Sequence, residues 1–222
     1  MENKKRKLLL KSFLSPGDTI MLSAAVRDLH INNPEKFITD VETSAMQIWE
    51  NNPYITKIDR NDPELEVVQC DYPLIHMSDK VPYHFIHGYS RFLETKLEVK
   101  IPITKFSGDV HISKQEKMWI SQIEELGVKD NYWIVVAGGK QDYTTKHWFS
   151  KYYQEVVDHF SGKITFVQVG ESGHIHFPLK NTINLIGKTD IRQFLRLVYN
   201  SVGVLCPVTF AMHAAAAVPS RL

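Results

Sequence analysis

Sustained alternation between short apolar runs and helix-patterned segments constrains this chain more than any other feature of its sequence. A leucine-rich run from Lys7 to Phe13 reads as a short buried strand. Ser15-Pro16-Gly17 breaks it, and Ile20, Met21, Ala24, Ala25 and Leu29 then recur at the spacing of an amphipathic helix. "KFITDVET" predicts a second strand, and "SAMQIWENNPYITKID" a short helix, an Asn-Asn-Pro turn and a third strand. "LEVVQCDYPLI" is a further strand candidate, after which Phe85, Ile86, Tyr89, Phe92, Leu93 and Leu97 mark one face of a helix.

A Pro-punctuated linker, "IPITKF", leads to a second run. Ser113 with Glu116 three residues later is a capping-box signature, and it predicts a helix ending at Gly127. "YWIVVAGG" reads as a buried strand of parallel type, "KHWFSKYYQEVVDHF" as a helix and "KITFVQVG" as a strand ending in glycine. "NTINLIG" is a short strand, "DIRQFLRLVYNS" a helix capped by Asp190, "VGVLCP" a strand and "TFAMHAAAAV" a last helix. The fold class is therefore α/β, with an open parallel sheet in each half covered by helices. The boundary falls near residues 105 to 130, giving a first domain at 1–112 and, at 113–222, a linker helix with a second domain. "AAAAVPSRL" stops where another strand would start, so the second domain is expected to be incomplete.

With 222 residues and 43% hydrophobic content the chain can bury a substantial core. Twenty-six Lys and Arg balance 25 Asp and Glu, so the net charge of +1 gives no electrostatic reason to expect nucleic acid. Only "KKRK", Lys4 to Lys7, is locally basic, and it reads more simply as a solvated terminus than as a contact for anionic lipid. Cys70 and Cys206 stand far apart without metal-ligand spacing, so free thiols and a reducing, cytoplasmic compartment are expected. No export signal or membrane span is read from the sequence.

Candidate chemistry lies at strand ends, where open α/β sheets bind ligands. Asp18 occupies the place of a helix N-cap after the first strand, and it can be read either as a structural cap or as a functional carboxylate. In "AGGKQDYTTKHW", Gly138 and Gly139 permit close backbone approach, and a helix N-terminus near Thr145 or Lys146 would offer amides to an anion. Glu171, after the next strand, suits sugar or ribose hydroxyls. His174 and His176 would need further ligands to hold zinc, so no metal is expected. Thr209 is placed to cap the last helix, with His213 one turn in. The sequence shows no Gly-x-Ser-x-Gly, no Cys/His nucleophile pattern and no closely spaced pair of carboxylates.

In their order these segments resemble glycosyltransferase family 9, the ADP-heptose:lipopolysaccharide heptosyltransferases. "SPGDTIMLSAAVRDL" is similar to the family's opening S-x-x-G-D turn and helix, and "TKHW" to its K-x-W segment. "NLIGKTDIRQFLRLVYNSVGVLCPVTFAMHAAAAV" resembles the segment that leads into D-[ST]-G-x-x-H-x-A-A-A, with Val208, Thr209 and Phe210 standing where the family has D-[ST]-G. The resemblance implies a GT-B-like architecture of two Rossmann-like domains facing a cleft. It implies inverting, metal-independent transfer of a heptose-like sugar from a nucleotide-diphosphate donor such as ADP-heptose to a glycan or lipopolysaccharide-type acceptor. Asp18 would be the general base, and Ser15 and Gly17 would form the acceptor-side loop. Gly138, Gly139, Lys146, Glu171, Thr209 and His213 would bind the donor. No cofactor is implied, and lipid-linked acceptors would allow peripheral contact at the inner face of the cell membrane. The alternatives are a non-catalytic nucleotide-sugar or glycan-binding module and a two-domain nucleotide-sugar epimerase.

Overall fold

The computed structural model describes residues 4–70, 77, 80–142 and 144–219. The chain divides into two compact units, Met1–His111 and Ile112–Leu222, and both are α/β with parallel sheets.

In the first unit β1 (Arg6–Ser12) leads to α1 (Pro16–Asn32), β2 (Phe37–Thr43), a 3-10 turn at Met46–Trp49, β3 (Leu65–Gln69) and α2 (Phe85–Leu97). The sheet order is β2-β1-β3, and β1 pairs in parallel with both neighbours, from Arg6 opposite Phe37 to Ser12 opposite Thr43. A central strand covered on both faces needs continuous rather than alternating apolar residues, which explains Leu8, Leu9 and Leu10, all buried.

Helix α1 begins earlier than the sequence suggests and is buried far more completely. Its N-cap is Ser15, not Asp18, because Pro16 takes the first helical position, where its fixed φ suits a helix and its missing N–H costs nothing. Thr19 to Leu29 are all buried, so the helix has no continuous solvent face. Arg27 and Asp28 share that burial as a bidentate pair, Nε to Oδ1 at 2.9 Å and Nη2 to Oδ2 at 3.1 Å. The strand expected in "PYITKID" reduces to a single parallel bridge between Thr39 and Ile55. Side chains replace the ladder there: Asp40 Oδ2 accepts from Ile58 N (3.0 Å) and Arg60 Nη1 (2.7 Å). The strand in "LEVVQCDYPLI" covers Leu65–Gln69, while residues 71–76 lie outside the described set. The basic run at the N-terminus is neutralised residue by residue, through Lys4 with Glu64, Lys5 with Glu35, Arg6 with Glu66 and Lys7 with Asp62.

The second unit opens with α3 (Lys114–Met118) and α4 (Gln122–Glu125) in place of one helix to Gly127. The predicted capping box of Ser113 and Glu116 forms, but a second box of Ser121 and Glu124 restarts the helix after a break at Trp119. Then follow β4 (Tyr132–Val135), β5 (Gly138–Gly139), a 3-10 turn at Thr144–Lys146, α5 (Ser150–His159), β6 (Thr165–Gln168), β7 (Ile175–His176) and β8 (Ile183–Asn184). The unit ends with α6 (Ile191–Asn200), β9 (Gly203–Leu205) and α7 (Phe210–Ala217). Its parallel sheet has the order β8-β6-β4-β9, and β5 and β7 form a separate antiparallel ribbon. Val135, Ala137, Tyr153, Val157, Phe166 and Leu179 pack as its core. Arg192 of α6 donates to the carboxylate of Glu116 (Nη2 to Oε1, 2.5 Å), fixing α3 against α6. Asp190 caps α6 as expected, in a capping box with Gln193. Among the described residues no helix is long and apolar enough to cross a membrane.

Candidate functional site

Each unit gathers polar groups where parallel strands end. In the first, the carboxyl end of the central strand β1 turns directly into α1. The Ser15 carbonyl accepts from Asp18 N (2.9 Å) and Thr19 N (3.1 Å), which closes the first turn. Asp18 thus sits three residues into the helix, half-buried, in the turn where the helix dipole favours a carboxylate. Gly17 is buried and Ser15 partly so. The turn is tethered to the end of β2, since Ser44 N donates to Ser12 O (3.2 Å) and the Ser44 hydroxyl donates to Leu14 O. Ser12 and Thr19, which the sequence reading passed over, flank the turn with fully buried hydroxyls that have no hydrogen-bond partner among the described residues.

In the second unit the ends of β4, β6 and β9 supply glycines, imidazoles and a hydroxyl. Gly138 has φ +147°, and a Cβ there would lie 1.9 Å from Ile175 O and 3.0 Å from His176 Nδ1. A Cβ on Gly139 would lie 3.0 Å from His147 Nε2 and 3.8 Å from Thr209 Cγ2, and one on Gly170 would meet the His176 ring at 2.4 Å. The expected glycine loop is therefore a ribbon pressed against His147 and His176, with Thr209 beside it. Thr209 caps α7 as predicted, accepting from Ala211 N (3.3 Å).

Lys146 does not open a helix. It ends the short 3-10 turn, and α5 starts four residues later, after Phe149, so the α5 amides do not adjoin it. Glu171 is exposed and lies against His174 (Oε2 to Nε2, 3.4 Å). His213 is partly buried one turn into α7. The structure thus brings Gly138, Gly139 and Thr209 together with His147 and His176. Nothing local in the sequence marks His147, because its proximity to Gly139 arises from the fold of the intervening segment.

Burial dominates the electrostatics of this cluster. It pushes the Cys206 thiol up to about 11, against a hydrogen bond with Thr209 that acts the other way. It pushes the Tyr153 phenol up to about 12, with Cys206 adding to the effect. Burial, followed by His174 and His147, holds His176 below its ordinary value, with Glu171 opposing. His176 is therefore neutral at pH 7, and both of its ring nitrogens are buried without a partner among the described residues. A neutral imidazole can donate through one nitrogen and accept through the other. Among the described residues no three His, Cys, Asp or Glu side chains converge as a metal site.

Comparison with solved structures aligns both units. A family 9 glycosyltransferase of Veillonella parvula matches with a TM-score of 0.73 at 14% identity, over 99% of this chain and 80% of that one. The fold is shared with family 9 glycosyltransferases. Escherichia coli ADP-heptose lipopolysaccharide heptosyltransferase II matches at 0.66 and 16% identity, over 96% of this chain and 82% of its own. E. coli heptosyltransferase WaaC, solved with ADP, matches at 0.60 and 12% identity, over 96% and 85%. No protein-family model matches the sequence, and no curated protein matches it significantly.

Proposed function

We propose that this chain is a glycosyltransferase that moves a heptose-like sugar from a nucleotide-diphosphate donor, of the ADP-heptose kind, to a hydroxyl of a glycan or lipopolysaccharide-type acceptor. The observation that carries the reading is the fold shared with three glycosyltransferases along 96–99% of the chain. The placement of polar groups at strand ends supports it.

In this reading Asp18 takes the proton of the acceptor hydroxyl as its oxygen bonds to the anomeric carbon, and the bond from that carbon to the diphosphate oxygen breaks on the opposite face with inversion. Ser15 and Gly17 shape the turn that aims the carboxylate. The departing diphosphate is met by Lys146, by the amides at the start of α7 and by the Thr209 hydroxyl, so that no metal ion or cofactor is required. Gly138 and Gly139 admit the nucleotide to the backbone, Glu171 accepts from ribose hydroxyls and His213 adds a donor on the same side. The enzyme would act in the cytoplasm. Any contact with the inner face of the membrane would come from the acceptor, since Lys4 to Lys7 are already paired with carboxylates.

A second reading, a nucleotide-sugar-binding module without turnover, is favoured by Val208. It is half exposed before α7, where family 9 carries an aspartate. A thermal-shift screen against ADP, UDP, GDP and CDP and their sugar conjugates tests the donor site, since a ligand at 100 times its Kd adds about 2.7 kcal/mol to stability. Glycosyl transfer predicts a selective shift followed by turnover. A shift with no turnover for any acceptor would favour the binding module, and no shift with any nucleotide would remove both readings.

A further inference from the structure

The ribbon of β5 and β7 in the second unit is too short to hold itself. Each strand has two residues, with Gly138 opposite His176 and Gly139 opposite Ile175, and a two-stranded ribbon needs a neighbouring layer for support even at greater length. The support comes from the end of β6. Val169 N donates to Val135 O (3.1 Å) and Gly170 O accepts from Gly187 N (2.8 Å), which ties Gly170 to the parallel sheet. The His176 ring rests on that glycine. A Cβ on Gly170 would lie 2.4, 2.5 and 2.6 Å from Nε2, Cε1 and Cδ2, so the imidazole lies face-on against a position that only glycine leaves open. Beyond β7 the chain is pinned by Gln168 of β6, whose Nε2 donates to Phe177 O (2.9 Å) and whose Oε1 accepts from Leu179 N (2.8 Å). His176 is therefore the last residue before a fixed segment, and the chain ahead of it turns at Gly173, with φ +90°.

Packing, not hydrogen bonding, keeps the ring there. Both of its nitrogens are covered and have no partner among the described residues, although the residue as a whole is only partly buried. A neutral ring brings one N–H and one lone pair into that place. A protonated ring brings two N–H groups and a charge, and burying an unpaired charge costs far more than burying a neutral polar group. The groups that face it add to the imbalance. His174, just before β7, has its ring centre 6.2 Å away, and His147 faces it from the segment between the 3-10 turn and α5; both oppose a charge on His176. Glu171, from the loop after β6, favours one, but it is exposed and lies against His174.

We propose that the ribbon is an acid-released clasp: the neutral His176 ring closes β5 and β7 onto Gly170, and a protonated ring leaves that place for water and lets the ribbon open while the parallel sheet stays folded. The way out is short, since Ile175 and His176 are only partly buried and Phe177 is exposed. The direction of the response follows from where the proton binds. In the open ribbon the imidazole takes its ordinary value near 6.5, and in the closed ribbon burial holds it lower. The ribbon is therefore fully closed above pH 6.5 and opens as pH falls from there through the closed value. Gly138 and Gly139 move with it, so acid rearranges the backbone beside His147 and Thr209. The device stands whether or not the chain transfers sugars.

Hydrogen exchange of the intact chain at pH 7.5 and 5.5, read by mass spectrometry and expressed as protection relative to the unstructured rate at each pH, tests this. Protection across 137–142 and 171–177 falls about three- to tenfold at pH 5.5, while β4 and β6 keep theirs; about tenfold is the ceiling when only the open form takes up a proton one pH unit below 6.5. His176→Gln, which cannot become charged, loses the response to pH in both segments, whereas His174→Gln retains it. Gly170→Ala, whose methyl group takes the place of the ring, leaves the ribbon poorly protected already at pH 7.5, with circular dichroism unchanged. The proposal is overturned if ribbon protection is the same at both pH values, if β4 and β6 lose protection in step, if His176→Gln responds to acid as the parent does, if His174→Gln abolishes the response, or if Gly170→Ala protects the ribbon at pH 7.5 as well as the parent.

Discussion

The two units solve the same α/β problem with different economies of backbone. In Met1–His111 the strands are five to seven residues long and the central one buries a run of three leucines, Leu8 to Leu10. In Ile112–Leu222 the strands of the parallel sheet are two to four residues long. Long strands hold the Asp18 turn in place, as the role proposed for its carboxylate requires. Short strands give way early to glycines, and the residues beyond them leave bare backbone beside His147, His176 and Thr209, which suits close contact with a ligand. Rigidity in one unit and access in the other is the division of labour that the proposed reaction needs.

The largest expected effect tests whether each unit carries its own core. Glu116→Ala takes this carboxylate away from the buried Arg192 and removes a capping box, and is expected to be the most destabilising of these changes, by about 2 kcal/mol or more. Hydrogen exchange should accelerate in α3, α6 and β4 while β1 and β2 keep their protection. Equal acceleration in both units would break the comparison. Next, Gly138→Ala forces a Cβ to within 1.9 Å of Ile175 O at a φ of +147°, and is expected to cost about 2–3 kcal/mol and to abolish any nucleotide-induced thermal shift. An unchanged shift would remove the ribbon from the donor site.

Acid should act on the second unit through His176. Its folded value lies below the ordinary 6.5, so the stability it contributes is complete above pH 6.5 and is lost as pH falls from there through the folded value. The melting temperature should therefore drop between pH 7.5 and 5.5, and less so in His176→Gln. The smallest effect belongs to the N-terminal basic run. Lys4→Gln and Lys5→Gln break exposed pairs and should each leave the melting temperature nearly unchanged, without altering sedimentation with anionic vesicles.

Much of this architecture is legible in the sequence because its signals are local. The Lys7 to Phe13 run, the Ser113–Glu116 box, Asp190 and Thr209 each decide an element within four or five residues. Where the reading slipped, a competing local signal lay close by. Pro16 places the cap at Ser15 rather than Asp18, Ser121 opens a second helix within the span that predicts one helix to Gly127, and Asp40 draws Ile58 and Arg60 into side-chain bonds where a strand is expected. The convergence of Gly139, His147 and Thr209 depends on residues far apart along the chain, and a single sequence carries no local mark of it.

The most direct test of the account compares turnover and binding in one variant. Asp18→Asn, assayed with the nucleotide sugar and acceptor that the wild type uses, should reduce transfer by at least about 100-fold while leaving nucleotide affinity unchanged, because the proposed base lies in the first unit and the proposed donor groups in the second. Transfer at the wild-type rate, or a parallel loss of nucleotide binding, would contradict the assignment of base and donor site to separate units.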